Sequence, residues 1–234
     1  MASAARPAVV LGATGFVGRE VVRQLCARGA RAIAHVRPDS RELDRWRTTF
    51  AELGAEVDIT AWDAAAMAAR WRALAPAQVY VCIGTTRAKA KTDAVAGNIY
   101  EAVDLGLTKI AVDAARASEA QPRIVYLSSV GADAGARSPY LRARGQAEDV
   151  VTTSGLPWVI ARPSFIIGER DEKRRGEAVT AHAVDGVLAL AGLLGGKKLR
   201  ERYRSTDGDI LASTLIRIGE APEHDRVYEG AELR

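Results

Sequence analysis

The sequence predicts an α/β protein with a doubly wound parallel sheet and helices on both faces, and three observations support this fold class. An apolar run, Ala8–Leu11, leads directly into a glycine-rich turn over residues 12–18 and then into a helix-like pattern. Strand-like and helix-like patterns alternate from there almost to the end of the chain. With 234 residues, of which 48% are hydrophobic, the chain is long enough to bury a full core as one domain.

The first strand, turn and helix form the start of a βαβ unit. Val17, Val21, Val22 and Leu25 lie on one face of the predicted helix, and Gly29 ends it. Glycines in such a turn let the backbone approach a diphosphate, whose charge then lies on the N–H groups of the helix start. The turn therefore predicts a Rossmann-like dinucleotide site. The residues expected to bind the cofactor there are Gly12, Thr14, Gly15, Phe16, Val17 and Gly18.

The remaining elements follow from the spacing of apolar residues. Short, nearly continuous apolar runs predict further strands at 32–36, 56–59, 79–83, 123–127 and 158–161, with a last edge strand at 227–229. Apolar residues three or four positions apart predict helices at 41–53, 64–74, 100–117, 140–154 and 210–218. In the long helix at 100–117 the expected apolar face contains Val103, Leu107, Ile110 and Ala114.

The chain is predicted to form a single NAD(P)-binding domain, 1–234, with its core at 8–163 and a small substrate-side region at 164–234. The regular alternation loosens in the second part, which begins with a charged loop and an apolar helix-like segment at 178–194. We expect this part to cover the mouth of the cofactor cleft. The helices at 100–117 and 140–154 are suited to a dimer interface, and a monomer is the alternative.

Composition bears on partners and location. The net charge is +4 at pH 7, and neither basic cluster, 169–175 or 197–204, belongs to a nucleic-acid reading module, so no nucleic-acid partner is expected. No uncharged run is long enough for a bilayer span and no export signal precedes Arg6, so we expect no membrane association and a cytoplasmic location. Cys26 and Cys82, like the three histidines, lack metal-ligand spacing, and no metal is expected.

The residues after the second and third predicted strands bear on the choice of dinucleotide. In such folds the residue after the second strand meets the adenosine ribose, and here it is Arg37. A guanidinium suits bidentate contact with a 2′-phosphate, so NADP(H) is preferred. NAD(H) would instead need Asp39 to accept from the 2′-hydroxyl, with Arg37 a solvated cation. Asp58, with Ile59 beside it, either accepts from the adenine amino group or only caps a turn.

A second group of polar residues is expected at the carboxyl edge of the sheet, where the reactive ring of the cofactor would lie. Ser129 follows the fifth strand, and Tyr140 and Arg144 are one helical turn apart on the next helix. A tyrosine hydroxyl can deliver or remove a proton, a serine can orient a carbonyl oxygen, and a cation lowers the tyrosine pKa. Alternatively, Tyr140 is a helix-start aromatic residue and Ser129 an exposed turn residue.

These residues together resemble the extended and atypical short-chain dehydrogenase/reductases, since the turn at 12–18, Ser128-Ser129 and the Tyr140 helix all match. More narrowly, the segments 82–90, 128–133 and 162–172 resemble the Tat-interacting-protein-type, NmrA-like oxidoreductases. The resemblance implies NADPH binding, with Ser129 and Tyr140 at the catalytic positions. It adds four expected cofactor-binding residues, which are Gly84, Thr85, Thr86 and Pro163.

One departure from the family pattern affects the expected activity. The family has YxxxK, whereas this chain has Arg144 in place of the lysine. A guanidinium is broader than an ammonium group, so it either supplies charge to Tyr140 and hydrogen bonds to the ribose, or blocks that position. The first alternative is an NADP(H)-dependent oxidoreductase acting on a small carbonyl or alcohol. The second is a non-catalytic NADP(H) sensor or regulatory protein, and the third is an interaction domain without cofactor.

Overall fold

The computed structural model describes residues 5–84, 98–164, 166–167 and 206–234. Several sequence-based expectations lie outside the described residues. These are the cofactor positions Thr85 and Thr86, the apolar helix expected at 178–194, and the basic clusters at 169–175 and 197–204.

Strands and helices alternate along the described chain. The strands are β1 (Ala8–Leu11), β2 (Ala32–His35), β3 (Glu56–Asp58), β4 (Gln78–Val81), β5 (Arg123–Leu127), β6 (Trp158–Arg162), β7 (Ile166–Ile167), β8 (Thr206–Asp207) and β9 (Arg226–Glu229). The helices are α1 (Phe16–Ala27), α2 (Leu43–Glu52), α3 (Ala64–Leu74), α4 (Leu107–Ala117), α5 (Pro139–Thr152) and α6 (Gly208–Glu220). A π-helical segment, Glu101–Gly106, leads into α4, and a short 3₁₀ turn, Gly230–Leu233, follows β9.

The strands form a parallel sheet of seven strands in the order β3-β2-β1-β4-β5-β6-β9, and β7 and β8 pair separately. The direction of winding reverses between β1 and β4, which pair in parallel from Ala8 opposite Gln78 to Leu11 opposite Val81. Ligands bind outside the carboxyl ends of the strands at such a switch point. The predicted fold class, a Rossmann-like doubly wound sheet, is confirmed.

The core has two layers, one on each face of the sheet. Neighbouring residues of β1 point in opposite directions, since Val10 packs with α1, α2 and α6, whereas Val9 packs with α3, α4 and α5. The apolar face predicted for α1 is confirmed, because Val17, Val21, Val22 and Leu25 are all buried. Burial on both faces accounts for the continuous apolar runs from which the strands were predicted.

The helix predicted at 100–117 differs from the expectation in two ways. Its first part, Glu101–Gly106, is π-helical, and the buried face contains Asp104, Thr108 and Ala111 instead of Val103, Leu107 and Ile110. Of the residues expected on the apolar face, Ala114 is buried as expected, whereas Val103, Leu107 and Ile110 are half-buried at the side of this face. The physical reason is a buried cation, Arg144, which holds the Asp104 carboxylate inward.

Candidate active site

The glycine-rich turn is tightly packed between β1, β4 and the start of α1. Gly12 has a φ of +75°, and a Cβ on it would lie 2.6 Å from the carbonyl oxygen of Cys82. A Cβ on Gly18 would lie 2.2 Å from the carbonyl oxygen of Gly12, which accepts a hydrogen bond of 2.9 Å from the Gly15 N–H. Only glycine allows this close approach of helix, turn and strand.

The start of α1 presents backbone and no acidic side chain at the switch point of the sheet. Gly15 is the N-cap residue, no side chain caps the helix, and its first turn contains no Asp or Glu. Thr14 is half-buried beside it, and Val17 is buried. Since a helix start attracts anions, this cradle fits the diphosphate of a nicotinamide dinucleotide. The expected cofactor residues of the turn are therefore brought together.

The residues expected on the adenosine side lie after β2 and β3. Arg37 is exposed, and its Nε lies 3.8 Å from Asp39 Oδ1. Asp58 is buried, and its Oδ1 accepts hydrogen bonds from the backbone N–H and the hydroxyl of Thr60 at 3.2 and 2.7 Å. Asp58 thus caps a turn, whereas its contact with adenine stays a prediction. Ile59 is 39% exposed and offers an apolar surface at the same edge.

The turn after β5 carries Ser129, which is half-buried and donates a hydrogen bond of 3.4 Å to the Val130 carbonyl. The Val130 N–H donates in turn to the carbonyl of Pro163, after β6, at 2.8 Å. These contacts place Ser129 and Pro163 at the carboxyl edges of neighbouring strands. Gly84, after β4, is exposed at the same edge.

Tyr140 lies in the first turn of α5, where Ser138 is the N-cap residue and Pro139 the first helical residue. Its ring packs edge-on against Tyr100, with the ring centroids 5.4 Å apart. The guanidinium carbon of Arg144 lies 5.5 Å from the centre of the Tyr140 ring. The structure therefore brings Tyr140 and Arg144 together, as their one-turn spacing predicts.

Arg144 is almost completely buried, and protein atoms surround its terminal nitrogens. Nη1 donates to the Leu127 carbonyl at 2.7 Å and to the Tyr126 hydroxyl at 3.2 Å. Nη2 donates to the Ile83 carbonyl at 3.0 Å and lies 2.8 Å from Asp104 Oδ1. A ribose contact by the terminal nitrogens of Arg144, one of the two alternatives that the sequence leaves open, would compete with these partners.

The environment of this cluster keeps Arg144 charged and raises the pKa of two neighbouring groups, Tyr126 and Cys82. Burial lowers the pKa of Arg144, but Tyr126, Tyr140 and Asp104 outweigh burial and the net pKa is raised. Burial also raises the pKa of Tyr126 and raises the pKa of the Cys82 thiol to about 12. Cys82 is therefore a packing thiol and not a nucleophile at neutral pH.

Sequence reasoning missed three residues that build this site. Asp104 pairs with Arg144, and Glu148 accepts hydrogen bonds from the Ser128 hydroxyl and from Arg162. A Cβ on Gly145 would lie 2.2 Å from the backbone of Asp133, so this glycine lets α5 lie directly on the serine turn. Glu148 lies four residues after Arg144, as Arg144 lies four residues after Tyr140. This spacing could have identified Glu148 as a residue on the same face of the helix.

The sequence matches a known protein family across the residues that form this site. A family model described as NAD(P)H-binding matches residues 12–187, which include the glycine-rich turn and the Tyr140 helix. The chain belongs to this NAD(P)H-binding family. A relative, protein fmp52, mitochondrial, from Aspergillus fumigatus, is 32% identical over 219 residues, covering 90% of this chain and 85% of the relative. NAD(P)H binding and resemblance to the short-chain dehydrogenase/reductases are thus confirmed.

Several solved structures share the fold of this chain. ChuY, an anaerobillin reductase from Escherichia coli O157:H7, matches with a TM-score of 0.63 and 19% identity, covering 95% of each chain. WbmH of Bordetella bronchiseptica, in complex with NAD+, matches with a TM-score of 0.64 and 15% identity, covering 96% of this chain and 75% of WbmH. At these identities the likeness establishes the fold alone and does not distinguish NADP from NAD.

The expected cytoplasmic location is contradicted by the relatives of this NAD(P)H-binding chain. The Aspergillus fumigatus relative is named a mitochondrial protein, and matching proteins from Aspergillus niger and Candida albicans carry the same name. Composition and cysteine usage do not distinguish the cytosol from another compartment. The names of the relatives therefore outweigh the expectation of a cytoplasmic location. Among the described helices, none combines the length and the apolar character needed to cross a bilayer.

Proposed function

We propose that the chain is an NADP(H)-dependent oxidoreductase of the atypical short-chain dehydrogenase type, acting on a small carbonyl or alcohol substrate. The observation that carries this proposal is the position of Tyr140. It lies on the first turn of α5, packed on a buried cation, beside the serine turn at the carboxyl edge of an NAD(P)H-binding sheet. This is the arrangement that proton transfer to a carbonyl oxygen next to a nicotinamide needs.

Each residue of the cluster has a proposed role. Tyr140 is the general acid and base that gives a proton to the substrate oxygen during reduction and removes it during oxidation. Ser129 donates a hydrogen bond that orients the same oxygen. Arg144 places positive charge against the Tyr140 ring and holds the ring in position. The bound nicotinamide would supply or accept the hydride.

Three groups of residues would hold the dinucleotide, one at the diphosphate, one at the nicotinamide half and one at the adenosine half. The turn at 12–18 and the start of α1 would bind the diphosphate, and Gly84, Thr85, Thr86 and Pro163 would line the nicotinamide half. Arg37, exposed after β2, would contact a 2′-phosphate, which supports NADP(H) over NAD(H). Asp58 and Ile59 would border the adenine.

The direct test is turnover, measured by absorbance of the reduced nicotinamide over a panel of aldehydes, ketones and alcohols. The Tyr140→Phe variant keeps the ring and removes the hydroxyl, so we expect its kcat to fall at least 100-fold with little change in NADPH affinity. Tyr228→Phe is the matched control, because Tyr228 lies on β9 at the far edge of the sheet. Equal rates for the wild type and Tyr140→Phe would remove Tyr140 from the mechanism.

A second candidate function is a non-catalytic NADP(H) sensor or regulatory protein. It is favoured by one observation, that the terminal nitrogens of Arg144 are engaged by protein acceptors. Calorimetric binding of NADPH combined with no turnover over the whole panel would support this function. Turnover that depends on Tyr140 would exclude it.

A further inference from the structure

Arg144 occupies the position of the family lysine, but its guanidinium is surrounded by protein acceptors. A guanidinium carries four N–H groups on its two terminal nitrogens. At Arg144 they face four protein acceptors: three hydrogen bonds go to the Leu127 carbonyl, the Tyr126 hydroxyl and the Ile83 carbonyl, and the fourth contact is an ion pair with the Asp104 carboxylate. The longest of these four distances is 3.2 Å. The two terminal nitrogens are therefore engaged within the fold, whereas Nε of Arg144 is buried and donates no hydrogen bond within the described part of the chain.

These acceptors belong to three different elements. Ile83 follows β4, Leu127 ends β5, and Asp104 lies in the π-helical segment before α4. The backbone of Gly84 lies so close that a Cβ there would be 2.6 Å from Nη2 of Arg144. One side chain of α5 therefore ties together the carboxyl ends of two neighbouring strands, at the edge where dinucleotides bind in this fold.

Asp104 makes the burial of this cation possible. Its side chain is completely buried, and that of Arg144 is only 6% exposed. A buried charge that loses its partner carries a large desolvation penalty, so each residue stabilises the buried position of the other. The π-helical turn that contains Asp104 directs the carboxylate to the strand ends, and such turns occur frequently at functional sites.

We infer that Asp104 and Arg144 form a positioning pair for the dinucleotide site. The pair holds the strand ends at 83–84 and 127–128 and the ring of Tyr140 in place, and it acts through them without direct contact to the coenzyme. The part that concerns Tyr140 rests on the proposed function. The part that concerns the strand ends rests only on membership of the NAD(P)H-binding family.

A double-mutant cycle on NADPH affinity tests the inference without a substrate. The variants are Asp104→Asn, Arg144→Met and the combination of both, with Kd measured by NADPH fluorescence well below the melting temperature of each. Each single variant leaves a buried charge unpaired at the strand ends, so we expect Kd to rise about tenfold. In the double variant both charges are gone, and we expect the rise to stay about tenfold instead of reaching 100-fold.

The conservative variant separates this role from the one that the family lysine implies. Arg144→Lys keeps the charge but cannot reach all four acceptors, so we expect weaker NADPH binding than in the wild type. The inference is overturned if Arg144→Lys binds NADPH as tightly as the wild type while Asp104→Asn stays within twofold. It is also overturned if the melting temperature falls in the single variants and Kd does not change, because the pair would then serve stability alone. Glu56→Gln, which breaks an exposed ion pair with Arg31, is the control and should leave Kd unchanged.

A spectroscopic measurement reads the pair in the absence of coenzyme. Guanidinium protons held by four protein acceptors exchange slowly, so we expect resolved Arg144 Hη signals in ¹⁵N-labelled protein and their loss in Asp104→Asn. The signals should persist when NADPH is added. Nuclear Overhauser contacts from Arg144 Hη to ribose protons would overturn the inference. If the protein turned over no carbonyl compound, the proposed function would be wrong. The NADPH-binding and NMR results would still test the positioning pair, because neither needs a substrate.

Discussion

The ring of Phe16 packs directly on the backbone of Gly208, where a Cβ would lie 2.4 Å from Phe16 Cε1. Phe16 is the first residue of α1 and Gly208 the first residue of α6, so the contact joins the starts of two helices that pack side by side. Through it, a segment from the end of the chain fixes the position of the turn that we expect to bind the diphosphate.

Gly208→Ala is therefore expected to disturb both stability and cofactor binding. The added methyl group would push the Phe16 ring away, and overpacking of this kind costs about 1–3 kcal/mol of unfolding free energy. Because Phe16 adjoins the glycine-rich turn, we also expect the Kd for NADPH to rise several-fold. Denaturant unfolding and fluorescence titration measure the two effects. Ile210→Ala, at an exposed position of the same helical turn, should change neither.

Arg37 tests the preference for NADP(H). The side chain is 55% exposed and lies 3.8 Å from Asp39, so it is available to a ligand. Arg37→Ala should raise the Kd for NADPH about tenfold, as expected for a lost charge-assisted hydrogen bond, and leave the Kd for NADH within twofold. Asp39→Asn is the counterpart, and only an NAD-binding site would make it weaken NADH binding. An equal effect of Arg37→Ala on both coenzymes would contradict a 2′-phosphate contact.

Local patterns were enough to predict most of the sheet and the first crossover. The strand expected at 123–127 and the helix expected at 64–74 have those limits in the structure. The glycine-rich turn was recognisable because its position between strand and helix is a local property of the sequence. Element limits elsewhere shifted by one or two residues, as at the helix expected from 210, which begins at Gly208.

The burial of Asp104 was not predictable in the same way. A carboxylate on a helix is expected to face solvent, and only a cation from a distant helix reverses that preference. The one-turn spacing correctly placed Arg144 near Tyr140. It contained no information about the carbonyl acceptors that follow β4 and end β5, because those contacts depend on how α5 lies across the sheet. Long-range polar pairs were thus the part of the site that periodicity could not supply.

Glu148 provides a test of the second buried polar group in the site. Its carboxylate accepts hydrogen bonds from the Ser128 hydroxyl and from Arg162, whose Nε donates at 3.0 Å. This pairing raises the pKa of Arg162. Glu148→Gln keeps the shape but removes the charge, and we expect a loss of about 2–3 kcal/mol, since Arg162 is only 26% exposed.

The control for Glu148→Gln is an exposed pair of the same type. Glu232→Gln breaks the ion pair between Arg226 and Glu232, whose side chains are 49% and 42% exposed, respectively. Such surface pairs contribute about 0–1 kcal/mol to the free energy of unfolding. Urea unfolding of the two variants compares them. Equal losses would mean that the Glu148 group does not hold the serine turn. With a substrate in hand, Glu148→Gln should also lower kcat, because Ser128 precedes Ser129.

His35 gives the molecule a defined dependence of stability on pH. The ring is buried at the end of β2, with Nε2 2.8 Å from the Thr60 carbonyl and Trp62 edge-on at 4.9 Å. Burial lowers the pKa of His35 from its ordinary 6.5, although Thr60 and Asp58 act in the opposite direction. The folded protein therefore binds a proton at His35 less readily than the unfolded chain does. Its stability is fully present above pH 6.5 and decreases as the pH falls below that value.

The measurement is the unfolding free energy from pH 7.5 down to pH 5.5, a range above the titration of ordinary carboxylates. We expect the wild type to lose stability over this range and His35→Gln to lose clearly less, whatever its stability at pH 7.5, because glutamine takes up no proton. His224→Gln is the comparison, since His224 is 54% exposed and lies beside Asp225, and it should not reduce the loss of stability seen in the wild type. If His35→Gln has the slope of the wild type, another group is responsible for the pH dependence.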